Sequence, residues 1–405
     1  MVSQSFQQKK KKTMDRKSVH GFLFSIFRIK LETMEKSIQI VAFNIPYPPD
    51  YGGVIDIFYK VKSLSECGIS VYLHCFEYDR PQVAELEKYC AKVYYYFRKK
   101  GIRYQLSTKP YIAITRANDQ LLINLSAIDA PIIFEGLHTC FYLNHLLLDT
   151  QLRLVRTHNI EHEYYLNLYK AERNIFRKLF FKIEACKLKR YEKVLKNASQ
   201  LLCISPNDNY YFDHKYGHSH FIPAFHPFSQ IKSKLGRGKY ILFHGNLSVS
   251  ENIQAIDYLL ANIFSKINLP VIIAGKNPDT RLAQKISQYA NIQLVANPEN
   301  EQMETLIQNA HISLLPTFQD TGLKLKLLAS LFSGRFCIAN TPMIHKTGLE
   351  HLCHLADTPK EMIDRVYELF QQDFTSEEIE KRKLILEDAF SNHQNAMKII
   401  RLLEE

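Results

Sequence analysis

The chain has 405 residues, 46% hydrophobic and 23% charged, which suits two globular domains and excludes a mostly disordered chain, a collagen or a coiled-coil rod. Its eight cysteines are scattered without a CxxC pair, so a disulfide scaffold is excluded and they read as reduced core thiols of a cytosolic protein. The formal charge is +11, of which residues 1–33 carry +6, and the +5 left on the body argues against a nucleic-acid binder while suiting anionic substrates or an anionic membrane surface.

Residues 1–33 combine a basic run (Lys9–Lys12) with the short apolar stretch GFLFSIF. No small-residue cleavage site follows, so this is a poor signal peptide. It reads as a disordered basic tail or a misassigned start, because Met34 opens MEKSIQIVAFNIPYPPDYGG, a natural beginning for an α/β domain. A membrane-touching arm is the alternative. No apolar run in the chain reaches the roughly 18–20 residues of a membrane span.

From Ser37 short apolar runs alternate with helical stretches. SIQIVAF is a strand, YGGVIDIFYKVKSLSECG a loop and a helix ending at Gly68, and ISVYLHCF a second strand. A helix near Val83–Tyr89 and a strand near Lys92–Phe97 follow, then strands at 130–136 and 153–159. Continuous apolar strands alternating with helices predict a parallel, doubly wound sheet. Residues 160–197 form one long helical stretch, broken once near Asn174, whose lysines and arginines make either a solvated face or a basic patch for membrane or acceptor. SQLLCIS is one more strand.

The stretch 222–238 is rich in Pro, Gly, Ser and Lys and reads as an interdomain linker. A second alternating unit follows: strands KYILFHGN, PVIIAGK, NIQLVA, HISLLPT and RFCIAN, with helices between them. Ser250 is the expected cap of the first of those helices. The tail from Pro359 is helical. The predicted fold class is therefore α/β, with two doubly wound Rossmann-like domains. The boundaries are 34–222 for the first, 223–238 for the linker and 239–405 for the second, with the last helix expected to pack back on the first domain.

In such sheets ligands lie beyond the carboxyl ends of the strands, so the strand-to-helix loops are the candidate sites. Gly52 and Gly53 precede a helix and can turn backbone NH groups toward an oxyanion. FEGLHTC places Glu135 and His138 at one strand end, and RTHNIEHEYY places His158, Asn159, Glu161 and His162 at another. HNIEH has the wrong order for a zinc-binding HExxH, so no metal is expected. In the second domain Gly245 and Asn246 allow a tight turn, and GKNPD puts Lys276 at the cleft. Thr321 and Gly322 open a helix after a strand, a ready phosphate site. Lys324 sits in its first turn, where a cation suits the helix dipole only if an anion binds there.

GNLSVSENIQAIDYL, GLKLKLLASLFSGRFCIAN, the early GG loop, His138 and THNIEHEYY together resemble the GT-B glycosyltransferases of the family 4 and family 1 retaining type found in bacteria. The resemblance covers roughly residues 37–400. It implies two domains facing across a cleft, a nucleotide-diphosphate sugar on the C-terminal domain and a glycan or lipid-linked acceptor on the N-terminal one. It also implies retention of anomeric configuration with no metal and no cofactor beyond the co-substrate. By position it implies His138, Glu161 and His158 as catalytic residues. Gly53, Gly245, Asn246, Lys276, Thr321, Gly322 and Lys324 would bind donor and phosphate, and Gly52, Glu135 and Asn159 would line the acceptor side.

One departure stands out. The family usually carries two glutamates eight positions apart in this last loop and helix, and here those positions hold Thr321 and Ala329. The expected function is a hexosyltransferase-like enzyme of cell-surface polysaccharide assembly, cytoplasmic or peripheral at the inner face of the cytoplasmic membrane. The alternatives are a non-catalytic sugar-nucleotide-binding partner subunit and a GT-B sugar-nucleotide epimerase, for which Glu135 and Glu161 would supply the acids.

Overall fold

The computed structural model describes residues 36–172, 174–318, 325–345 and 347–404. A first, seven-stranded parallel sheet is built from β1 (Ser37–Ala42), β2 (Ser70–Glu77), β3 (Lys92–Phe97), β4 (Ile132–Glu135), β5 (Arg153–Thr157), β6 (Gln200–Cys203) and β7 (Ser219–Phe221). Its order is β3-β2-β1-β4-β5-β6-β7. The crossovers carry α1 (Gly52–Glu66), α2 (Asp119–Ser126), α3 (Glu161–Ala171), α4 (Ile175–Tyr191) and α5 (Pro206–Tyr216). Strands such as Ile38–Ala42 and Ile132–Glu135 are buried along their whole length because helices cover both faces. The winding direction reverses between β1 and β4, and the crevice where a doubly wound sheet takes ligands opens there.

The second sheet has six strands, β8 (Ile241–Asn246), β9 (Val271–Lys276), β10 (Ile292–Ala296), β11 (Ile312–Leu315), β12 (Phe336–Ala339) and β13 (His354–Leu355). Its order is β10-β9-β8-β11-β12-β13, so its reversal lies between β8 and β11. The accompanying helices are α6 (Ser250–Asn262), α7 (Thr280–Ile286), α8 (Asn300–Asn309), α9 (Leu325–Ser333), α10 (Pro359–Phe370), α11 (Ser376–Ala389) and α12 (Asn392–Leu402). Gly275 pairs with Gly245 across β9 and β8, and a Cβ at 275 would fall on the Gly245 carbonyl oxygen. Glycine is required there by close backbone approach.

The chain passes between the two sheets twice. The first crossing begins with Ile222, Ala224, Phe225 and His226, all buried, so the start of the expected linker is packed rather than loose. Ile222 and Phe225 join the core of the first sheet and Ala224 that of the second. The second crossing runs from Phe390 into α12, whose Ala396, Ile399 and Ile400 pack with Ile57, Val61 and Leu64 of α1. His226 joins the crossings: its Nε2 lies 2.8 Å from the Phe390 carbonyl oxygen. Its backbone NH donates to Asn392 Oδ1 (3.1 Å), and Asn392 Nδ2 donates back to the His226 carbonyl (2.6 Å).

Several local expectations are corrected. The 160–197 stretch breaks near Asn174 as expected, where Asn174 starts α4 by accepting from the Phe176 and Arg177 amides, but its last turn (Glu192–Asn197) is 3-10. Ser250 is the first residue of α6, preceded by Val249, and caps nothing. The 83–89 segment is 3-10 rather than α. Helix α5 and strand β7 have little apolar signal in the sequence, because α5 buries only Asp208 and Phe212. All eight cysteines are free, four of them buried, but Cys186 is exposed on α4 and is not a core thiol. The tail 1–33 lies outside the described residues.

Candidate functional site

At the switch point of the first sheet, five polar side chains form a buried network. Lys60 Nζ, on the sheet-facing side of α1, pairs with Asp56 Oδ2 (3.1 Å) and with Glu135 Oε1 (2.6 Å). Arg156, from β5, grips Asp56 through Nε (3.1 Å) and Nη2 (2.8 Å), and donates to the Ile222 and Pro223 carbonyls of the first crossing. Glu135 Oε2 holds His158 Nε2 at 2.9 Å. Burial alone would raise the Asp56 carboxyl, but the Arg156 and Lys60 charges outweigh it and hold it well below the usual carboxylate range. Asp56, Glu135 and His158 lie close enough to share a metal ion. The two carboxylates, however, are already matched by two side-chain cations.

This placement corrects one expectation outright. Glu135 is fully buried with both oxygens facing Lys60 and His158, so it offers no surface to an acceptor. His158 is turned to Glu135 and packs edge-on against Phe43 (ring centroids 5.5 Å apart), a position from which it supports the crevice floor.

Above that floor lie three groups whose polar atoms are not all satisfied. His138 follows β4, with its ring on Phe43 (5.1 Å) and its Nδ1 3.8 Å from Glu161 Oε1. That Nδ1 has no hydrogen-bond partner among the described residues. Burial, with the Arg116 charge nearby, pushes its pKa well below the usual value, so the ring is neutral at neutral pH. Glu161 opens α3 and is 3% exposed. Burial, reinforced by the Asp208 charge and only partly offset by Arg116, pushes its carboxyl up to about 8. It is therefore a protonated acid beside a neutral imidazole. Arg116 completes the group. It is held by Nε on the Phe43 carbonyl (2.9 Å) and by Nη1 on the Ile112 carbonyl (2.6 Å).

The GG loop borders the same crevice. A Cβ on Gly53 would lie 2.5 Å from Phe43 Cζ, so any side chain there displaces the ring on which His138 rests. Gly52 faces the second sheet: a Cβ on it would lie 3.9 Å from Leu325 Cδ1, at the start of α9. The carboxyl ends of both sheets thus border one cleft. Asn159 is half-buried at its edge. A cavity of about 200 Å³ lies along it between α3 (Tyr164, Asn167) and the start of α6 (Glu251, Gln254), closed by Phe318. A larger groove, about 620 Å³, is lined by Tyr59, Phe228 and His393 beside the two crossings and is remote from these strand ends.

On the second sheet, Gly245 and Asn246 are still part of β8, and the turn follows at 247–248. Asn246 Oδ1 accepts from Ser248 N (3.0 Å) and Oγ (2.8 Å), so that oxygen shapes the turn. Lys276 is paired in register with Asn246, and no carboxylate pairs with it among the described residues. Lys326, in the first turn of α9, donates to Asn252 Oδ1 (2.8 Å) and lies 5.1 Å from the Phe243 ring centroid. Ala329 belongs to an apolar cluster with Leu242 and Ala274, so this position contributes packing and no carboxylate. Thr321, Gly322 and Lys324 lie outside the described residues.

Sequence reasoning missed Phe43, Arg116, Lys326 and the Asp56–Lys60–Arg156 core of the network. A signal existed for the last: Asp56 and Lys60 interrupt the apolar face Val54-Ile57-Phe58-Val61-Leu64 at i, i+4 spacing, and Arg156 interrupts an apolar strand. Arg116 left none, because its neighbours come together only in the fold.

No family model matches the chain. It is 27% identical over 333 residues to the uncharacterised 44.6 kDa protein in the cps region of Klebsiella pneumoniae, covering 78% of this chain and 85% of that one. Among solved structures it is similar to sucrose-phosphate synthase from Thermosynechococcus elongatus (TM-score 0.67, 14% identity, covering 91% and 98% of the two chains). It is similar also to TarM (0.66, 11%, 92% and 99%) and to the E. coli trehalose-6-phosphate protein bound with UDP-2-fluoro glucose (0.62, 10%, 91% and 99%). The chain shares their fold, GT-B: two Rossmann-like units, one seven-stranded and one six-stranded, around a common cleft.

Proposed function

We propose that this chain is a glycosyltransferase that moves a sugar from a nucleotide-diphosphate sugar to a glycan or lipid-linked acceptor in bacterial cell-surface polysaccharide assembly. One observation carries the reading. His138, Glu161 and Arg116 gather polar groups at the switch point of one sheet, on a cleft bordered from the other by Lys276 at a strand end and Lys326 in the first turn of α9. The GT-B fold and the cps-region relative support it. The donor belongs on the second sheet, where Lys276, Lys326 and the start of α9 match the charge of a leaving diphosphate without a metal or cofactor. The acceptor belongs on the first sheet. Neutral His138 and protonated Glu161 hydrogen-bond the transferred sugar there. In a front-face displacement the acceptor oxygen bonds to the anomeric carbon as the bond to the diphosphate breaks. The leaving phosphate oxygen takes the acceptor proton, and configuration is retained.

The test is a thermal-shift panel of UDP, GDP, ADP and CMP with their sugar-loaded forms. A nucleotide at about 100 times its Kd should stabilise by roughly 2.7 kcal/mol. Lys276→Ala should weaken that binding by about 1.5–3 kcal/mol, the value of a charge-assisted contact. Unchanged affinity would remove Lys276 from the donor site. If no nucleotide shifts the protein at all, the partner-subunit reading, favoured by the apolar setting of Ala329, takes precedence. The epimerase alternative has lost one of its two acids, since Glu135 is enclosed.

We also assign a membrane-facing surface to α4, at the inner face of the cytoplasmic membrane. Among the described residues no helix is long and apolar enough to cross a membrane. Ile175, Phe176, Leu179 and Ile183 are nevertheless exposed, Phe176 at 81%, along one stripe of α4. That stripe is opposite the face that buries Glu184, Ala185 and Leu188. Lys178, Lys182 and Lys189 flank it, the pattern of a helix lying in an anionic interface. The full chain should co-sediment with vesicles containing phosphatidylglycerol and not with phosphatidylcholine alone. A Phe176→Ser/Leu179→Ser variant should remain in the supernatant. Equal sedimentation of variant and wild type would exclude α4 as the anchor.

A further inference from the structure

The first-sheet side of the cleft holds a guanidinium with no counter-ion among the described residues. Arg116 is 4% exposed, and its two protein contacts are neutral backbone carbonyls, leaving Nη2 without a hydrogen-bond partner among the described residues. Arg98 stands beside it, donating from Nε to Thr115 Oγ1 (3.1 Å) and stacked 4.2 Å from the Tyr78 ring centroid. Neither arginine has an ion pair with a carboxylate among the described residues. Of the nearby acids, Asp79 is engaged by Asn44 Nδ2 (2.9 Å), and Glu161 carries a proton at neutral pH. One buried and one half-buried cation near each other, with no anion paired to either among the described residues, are a costly arrangement in a folded chain. Arg335 and Arg382 are likewise buried without a carboxylate among the described residues, but both terminal nitrogens of each donate to carbonyl or hydroxyl oxygens, whereas Nη2 of Arg116 does not.

We propose that Arg116 and Arg98 bind an anionic group, phosphate or carboxylate, on the acceptor. This rests on the reading of the first sheet as the acceptor side. A guanidinium fixed at two corners presents its remaining amine in a set direction, which suits an oxyanion. Tyr51, Tyr78 and Tyr165 lie close enough to Arg116 to interact with its charge. Arg116 also contributes to keeping His138 neutral, so arrival of the anion alters the charge felt by the imidazole.

The experiment is calorimetric titration of the full chain, in a low-salt buffer free of phosphate and sulfate. The probes are glucose, glucose 6-phosphate and glucuronate, each with and without a saturating nucleoside diphosphate. At least one charged sugar should bind on the order of tenfold tighter than glucose, the factor that a single charge-assisted contact supplies. The two charged sugars separate phosphate from carboxylate. Arg98→Gln and Arg116→Gln should each reduce the preference and leave nucleoside diphosphate binding unchanged. Arg98 is only half-buried, so its variant reports even if Arg116→Gln does not fold. Equal binding of glucose and both charged sugars overturns the proposal, as does a preference that persists in Arg98→Gln and in every folded Arg116 variant. Arginine-dependent anion binding in a protein that binds no nucleotide would instead overturn the transferase reading and leave the anion site standing.

Discussion

Arg156→Met is expected to destabilise the fold by about 3–5 kcal/mol, because it removes one partner of a buried ion pair and leaves the other in place. Asp56 would keep the Phe225 backbone NH and one cation, Lys60, which also serves Glu135. The Ile222 and Pro223 carbonyls would lose their donor. At roughly 2–4 °C per kcal/mol for units of this size, Tm should fall by about 6–20 °C. The paired change Asp56→Leu/Arg156→Met removes both charges and should recover part of the loss, since a matched apolar replacement avoids the stranded ion. Calorimetric scans of the two variants decide it. A single variant melting with the wild type would mean that the network does not bear on stability.

Replacing Glu161 by Gln should lower turnover with no loss of stability at neutral pH. The sign follows from the direction of the shift. The folded-state carboxyl titrates near 8, above its ordinary value of 4.5, so the folded chain holds a proton that the unfolded chain releases. The stability this group contributes is complete below about pH 4.5 and is lost progressively as pH rises to about 8. Glutamine never ionises, so the variant should gain on the wild type across that window, and the difference in Tm should widen with pH. Turnover should fall by about tenfold, because an amide donates a weaker hydrogen bond to the transferred sugar than the carboxylic acid does. Wild-type turnover should fall above about pH 8 as Glu161 ionises. Parallel Tm-against-pH curves, with full turnover in the variant, would return Glu161 to a packing role.

The architecture was legible because it depends on pattern: β1, β4, β8 and β11 are continuous apolar runs, and parallel sheets bury such runs on both faces. The strand ends then located His138 and Glu161. The chemistry of individual positions was less legible. Glu135 and His138 lie three residues apart on one loop, yet one points beneath the sheet edge to Lys60 and the other into the cleft. Composition cannot make that distinction; side-chain direction does. Arg116 lay in a stretch with no periodic signal, and its importance comes from Phe43, 73 positions earlier. Helix α5 was invisible for a related reason: with Asp208 and Phe212 as its buried residues, it has no apolar stripe to detect.

The pairing of His226 with Phe390 and Asn392 has a mechanical meaning. Two separate strands of chain joining two bodies would let each slide or twist against the other. Here the two are fastened side by side, and the first is anchored at its root by Arg156. Such a joint behaves like a door hung on a single pin. The halves can swing about one axis, and a swing carries Gly52 and Leu325 together or apart while leaving the hinge side unchanged. Sideways shear of one sheet's carboxyl ends past the other's is the motion this joint resists.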